Sequence, residues 1–281
     1  MNASTALDVP EDFMPQHTNV QLRLERPLDM VQLELDNLHY ADKAAEKTKA
    51  NLKPLLWITG IGTLTGFIIF ITFVLIVPFL ILLFFYFRAD RKDVEDRRLD
   101  VARHLLETLK GEIKAGTQVI LEMDFRRYDQ ANAPPKGAFS QQWLRMALVL
   151  RNGAALQVSA VTHCKRKSRR KRKYTKHKDK LREALTLDIR PAKGASFNPA
   201  QSQRIAQALA KPLPQAQLRR CQLKPKTAQV SFMTAEAVHM SPAGRFANPF
   251  TNRQALLDAH KVLTLTTMGF RAVTQSSARA A

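Results

Sequence analysis

Hydrophobic positions change their spacing several times along the chain, and each change marks an element. Val20, Leu22 and Leu24 alternate with Gln21, Arg23 and Glu25, the period-two pattern of a short strand, which Pro27 ends. From there the spacing is helical. Leu28, Val31, Leu35 and Leu38 recur three or four residues apart, and Ala-, Lys- and Glu-rich sequence extends the pattern to Lys53. Pro54 fits as the first residue of a new helix. The 33 residues from Leu55 to Phe87 then carry no charged side chain, well beyond the roughly 18 at which an apolar run reads as membrane-spanning. Arg88 to Ile113 is helix-like again, with Leu99, Ala102, Leu105 and Leu109 on one stripe. It is expected to continue the membrane helix and to stop at Gly116.

After Gly116 the period drops to two. Thr117, Val119, Leu121, Met123 and Phe125 share a face opposite Gln118, Glu122, Asp124 and Arg126, which predicts a half-buried strand. Two apolar segments flank Asn152-Gly153, the dipeptide that most readily forms a type I′ hairpin turn. Leu185, Leu187 and Ile189 predict a further strand, Asn198 to Ala210 a short helix, and residues 218–223 with 229–234 a second hairpin. A weak helix is expected over Arg253 to Leu263, followed by a frayed end.

The expected fold class is therefore a membrane-anchored α+β protein. A hydrophobic transmembrane run is flanked by charged helices and followed by an antiparallel β-rich soluble domain with a short helix. The segments are a mobile tail with a short strand (1–26), a juxtamembrane helix (27–54), the transmembrane run (55–87), a charged helix (88–113), the α+β domain (114–235) and a C-terminal extension (236–281). One straight helix over the run would be about 50 Å long against a hydrocarbon core of about 30 Å, and two crossings of about 24 Å each would fall short. A helical hairpin and one long tilted span both stay open. Lysine and arginine are balanced on the two flanks, which suits a hairpin with both termini in the cytoplasm. Gly62 and Gly66 form a G-x-x-x-G suited to helix packing, within the chain or between copies in a homo-oligomer. No Asp, Glu, Lys, Arg or His lies inside the run, so a channel or transporter is a poor reading and an anchor the better one.

Charge adds what periodicity does not. Residues 1–54 hold 6 Lys/Arg against 9 Asp/Glu, so the net charge of +20 arises entirely beyond them. The surplus concentrates between residues 165 and 182, where 12 basic residues meet one acid, Asp179. They are Lys165, Arg166, Lys167, Arg169, Arg170, Lys171, Arg172, Lys173, Lys176, Lys178, Lys180 and Arg182. Such a segment repels itself and stays extended and mobile unless an anion neutralises it. The partners it suits are the anionic surface of a lipid bilayer, an acidic protein and nucleic acid.

The search for chemistry is mostly negative. P-loop, G-x-G-x-x-G, H-E-x-x-H and G-x-S-x-G patterns are absent from the sequence, and neither a cofactor nor a metal site is expected. Cys164 and Cys221 make no disulfide framework or metal signature, and His163 and Cys164, adjacent on a strand, point to opposite faces. Glu122 and Asp124 share a strand face, where arginine or lysine on a neighbour is the expected answer. The functional expectation is a non-enzymatic, membrane-anchored cytoplasmic binding or scaffold protein at the bacterial inner membrane, presenting a polybasic β-ribbon to an anionic partner. The alternatives are an assembly subunit of a membrane complex and an enzyme with a dispersed site that includes Glu122 and Asp124.

Overall fold

The computed structural model describes residues 21–65, 69–90, 96–114, 116–126, 128, 134, 136–170, 175–210, 216–241, 250–251 and 256–278. The chain forms two compact units, Met1–Gln21 with Asp42–Asp93 and Leu22–Ala41 with Val94–Ala281. Of the expected N-terminal tail, residues 1–20 lie outside the described residues, and its short strand falls in β1 (Gln21–Pro27).

Helix α1 (Leu28–Thr65) is continuous through Pro54, and α2 (Ile69–Asp90) contains Pro78. The uncharged run is thus divided between two helices. Leu55–Thr65 is the end of a helix whose earlier turns are rich in Lys and Glu, and residues 69–87 fall in α2. Among the described residues, no helix is long and apolar enough to cross a membrane. The membrane-anchored fold class, the transmembrane segment and the integral-membrane localisation are corrected on that finding. The physical reason is that the 33-residue run is shared between α1 and α2, so that neither helix has its full length. Within the first unit the two helices approach at Gly60, where an added Cβ would stand 3.6 Å from the Phe79 ring. Gly62 lies in α1 and Gly66 outside the described residues.

The second unit is built on one antiparallel sheet. Its strands are β1 (Gln21–Pro27), β2 (Gln118–Asp124), β3 (Gly137–Val149), β4 (Ala155–Arg170), β5 (Thr175–Arg190), β6 (Ala216–Lys224) and β7 (Thr227–Thr234), in the order β1-β2-β3-β4-β5-β7-β6. β8 (Ala237–Ser241) pairs with the far half of β5, and β9 (Phe250–Thr251) pairs with β8. Asn152-Gly153 turns β3 into β4, with Gly153 at φ 81° and the Asn152 side chain accepting from the Ala154 amide. Only a residue without Cβ adopts that φ freely.

One face of the sheet carries the core. Leu156, Val158, Ala160 and Cys164 of β4 are buried, as are Leu181, Leu185, Leu187 and Ile189 of β5. This face is covered by α3 (Asp96–Leu109), α4 (Ser202–Leu209) and α5 (Ala259–Ala278). Helix α5 is twenty residues long where a weak helix over Arg253–Leu263 and a frayed end were expected. Its Gly269 passes so close to the sheet that an added Cβ would meet Leu187 Cδ1 at 2.6 Å. Helix α3 buries Leu99, Val101, Ala102, Leu105 and Leu106, and the residues that would join it to α2 lie outside the described ones. The first part of α1 runs antiparallel to it, with Arg103 bound to Asp36 and Lys110 to Gln32.

Candidate functional site

Alternation places Ala155, Gln157, Ser159, Val161 and His163 on the opposite face of β4, where they stay half-exposed. Toward the ribbon the same alternation continues, and the cross-strand register assigns each basic side chain to a face. Lys165 stands opposite Lys180, Lys167 opposite Lys178, and Arg169 opposite Lys176. These three pairs share the open face. Directly opposed residues hold their Cβ atoms about 5 Å apart, and like charges so placed destabilise a ribbon. No ion pair or hydrogen bond to a carboxylate engages Lys165, Lys167, Arg169, Lys176 or Lys178 among the described residues.

The other face of the ribbon is neutralised. Arg166 stands opposite Asp179 and forks onto it, Nε to Oδ1 at 2.9 Å and Nη2 to Oδ2 at 2.7 Å. Tyr128 donates its hydroxyl to Asp179 at 3.2 Å and shares a 2.6 Å hydrogen bond with His239 Nδ1 on β8. The group packs on Cys164, Leu181, Ala237 and Leu256 and is enclosed. Beyond it, Ser168 Oγ and His177 Nδ1 lie 2.8 Å apart. Asp179, the single acid of the basic segment, therefore clamps the base of the ribbon to the core. Arg166 belongs to that clamp rather than to the free cations. On the open face, Lys180 and Arg182 face Glu236, whose carboxyl the Lys180 hydrogen bond holds below its ordinary value, so the rung nearest the core is partly offset. Arg170 is exposed at the end of β4, and Lys171, Arg172 and Lys173 lie outside the described residues.

At the other end of the open face, residues of strands β2 to β7 line a concavity of about 610 Å³. Arg145, Arg190, Arg220 and Lys224 line it, with Gln118, Gln157, Gln222 and Gln229 between them. Its acid, Asp188, accepts from Gln229 at 2.9 Å. Sequence spacing alone did not single out these residues, because they come from six strands and only pairing assembles them. His163 lies between the two regions. Burial pushes its imidazole below the ordinary value, and the nearby positive charge of Arg219 adds to the shift.

The other chemistry-bearing residues are taken up locally. Glu122 lies between Arg23 and Arg145, and Asp124 is held by Arg126 through both its side chain and its backbone amide. Glu122 thus has the neighbouring-strand arginine of a solvated sheet face, whereas Asp124 is buried and its arginine lies two residues further along its own segment. Cys164 is buried and Cys221 half-buried, and burial pushes the Cys221 thiol up. A second buried ion pair lies under the sheet, where Arg97 forks onto Glu183 at 2.7 and 3.0 Å. Thr162 and the Leu257 amide complete the carboxylate's shell.

No protein-family model, curated protein or solved structure matches the chain.

Proposed function

We propose that the second unit binds a polyanion through the open face of the β4–β5 ribbon. The observation that carries this reading is the ladder of directly opposed like charges at Lys165/Lys180, Lys167/Lys178 and Arg169/Lys176. Such pairs oppose strand pairing, and phosphates or other anions laid along them would turn the repulsion into attraction. The opposite face of the ribbon satisfies itself through Arg166 and Asp179, so the cationic face is presented rather than merely solvated. The role is that of a binding or scaffold module.

The test uses the full chain on immobilised heparin, a generic sulfated polyanion. Wild type is retained at low ionic strength and released by moderate salt, because each anion contact trades against released counterions. A variant with Lys165, Lys167, Arg169, Lys176 and Lys178 all changed to Gln passes through unretained, with an unchanged circular dichroism spectrum. Retention equal to wild type would remove the ladder from the function.

A further inference from the structure

The ribbon ladder and the basin share one face of β4 and β5, so a polyanion on the ladder is led directly into the basin. We propose that this continuous face binds the phosphodiester backbone of a double-stranded nucleic acid, with the ladder gripping one segment and Arg190, Arg220 and Lys224 another. The inference rests on the polyanion reading above and names its ligand class.

Three features of the face select a double helix. First, it is concave at the basin. A flat lipid surface does not reach the floor of a concavity, whereas a convex rod fits it. Second, the paired positions of β3 to β7 that line the face carry Gln, Ser, Thr, Ala, Val, Met, His163, cations and the acid Asp188, which Gln229 engages, but no Phe, Tyr or Trp among the described residues. Single-strand binders stack bases on aromatic side chains, and the cores of protein interfaces are aromatic and poor in charge. This face supplies neither. Third, successive rungs of the ladder are two residues apart, about 6.8 Å along a strand. That equals two axial phosphate steps of about 3.4 Å each in one strand of a duplex. A two-stranded β-ribbon is also a body that the major groove of B-form DNA admits. The glutamines of the basin add neutral donors and acceptors for sugar and phosphate oxygens, contacts that position a duplex without reading its sequence.

Length makes the proposal quantitative. From Ala155 to Arg169 the open face runs about 46 Å along β4, which corresponds to roughly 14 base pairs of duplex at 3.4 Å per pair. Affinity of the full chain therefore rises with duplex length to a plateau near that size.

The experiment measures fluorescence anisotropy of the full chain with labelled duplex DNA, duplex RNA and single-stranded DNA of one sequence, in lengths from 8 to 24. Anionic phosphatidylserine vesicles serve as competitor. Duplex is expected to bind at least tenfold more tightly than the single strand, with a plateau near 14 pairs and weak competition by vesicles. Preference for duplex RNA or for duplex DNA identifies which double helix is the source, and either supports the proposal. Arg190→Gln, Arg220→Gln and Lys224→Gln together should weaken the 24-pair duplex about tenfold and lower the slope of log K against log salt by about 0.9 per lost contact. The 8-pair duplex should be nearly unaffected. Single strand binding as well as duplex, vesicles binding better, or no length dependence would each overturn the duplex proposal while polyanion binding stood. Loss of the polyanion reading shows separately, as five ladder substitutions that change no binding at all.

Discussion

Glu183 shows how a single side chain holds the platform beneath the open face. Burial on its own would raise its carboxyl, but Arg97, fully forked onto it, and the Leu257 amide bring it below its ordinary value. Through these bonds α3, β4, β5 and the segment before α5 are tied at one point. Arg97 and its neighbour Arg98 also lie over the buried Trp143 ring, 5.7 and 5.4 Å from its centroid, and Arg98 donates to the carbonyls of Asp124 and Arg126. Breaking a buried pair from one side strands the remaining charge and costs about 3–5 kcal/mol. Glu183→Gln should therefore destabilise the chain by roughly that amount in urea unfolding at neutral pH. The sign of the pH effect comes from the depressed carboxyl. Its contribution is fully present above the ordinary carboxylate range and is lost as pH falls through the lower folded value. Acid should thus erode the stability of wild type more steeply than that of Glu183→Gln, and parallel acid limbs for the two proteins would contradict this role.

At the scale of elements, the ribbon trades its own stability for a presented charge. The two like-charged rungs farther from the core, Lys167/Lys178 and Arg169/Lys176, each oppose pairing by about 0.2–1 kcal/mol, while Glu236 offsets Lys180 of the third and the Arg166–Asp179 clamp and the pairing of β8 with β5 hold the base of the ribbon in register. Lys167→Glu converts the middle rung, Lys167/Lys178, into an opposite-charge pair. Amides of residues 165–170 and 175–180 should then exchange with solvent about fivefold more slowly, for a gain of roughly 1 kcal/mol in local opening. The difference should shrink in high salt, because exposed charges are screened over about 10 Å at 0.1 M. Equal exchange at low salt would mean that the rungs do not repel. The basic residues themselves were plain in the sequence, and so was the Asn152-Gly153 hairpin, since both signals are local. Their distribution between faces was not. It depends on register, which places Lys167 opposite Lys178 and diverts Arg166 to Asp179, and register is set by the apolar half of β4 and β5 rather than by the charged half. Helix α5 was underestimated for a related reason. Its threonines and interior Gly269 are poor helix formers, and only packing on Leu187, Val230 and Phe232 explains its length.

At the scale of the whole molecule, the order of segments along the chain is not the order of the units. An uncharged run invites a division of the chain at its two ends, yet the second unit takes residues from both sides of it. Leu22, Leu24, Val31, Leu35 and Leu38, all N-terminal to the run, are buried, and Arg103 and Lys110 of the α3 region reach back to Asp36 and Gln32. Pairing of β1 beside β2 and packing of α1 along α3 are long-range contacts that no local pattern announces. Removing five such side chains forfeits about 7–15 kcal/mol of burial at 1.5–3 each, comparable with the roughly 5–15 kcal/mol that holds a whole domain. A fragment of residues 96–281 should accordingly lack a cooperative urea transition, although it retains nearly the entire sheet. Because the two helices run antiparallel, Ala41 comes back toward the start of α3. A chain of residues 21–41 joined through a Gly/Ser linker to residues 96–281 should recover cooperative unfolding and near-ultraviolet circular dichroism. If the 96–281 fragment unfolds as cooperatively as the joined chain, β1 and the first turns of α1 are accessories to the sheet rather than part of its core.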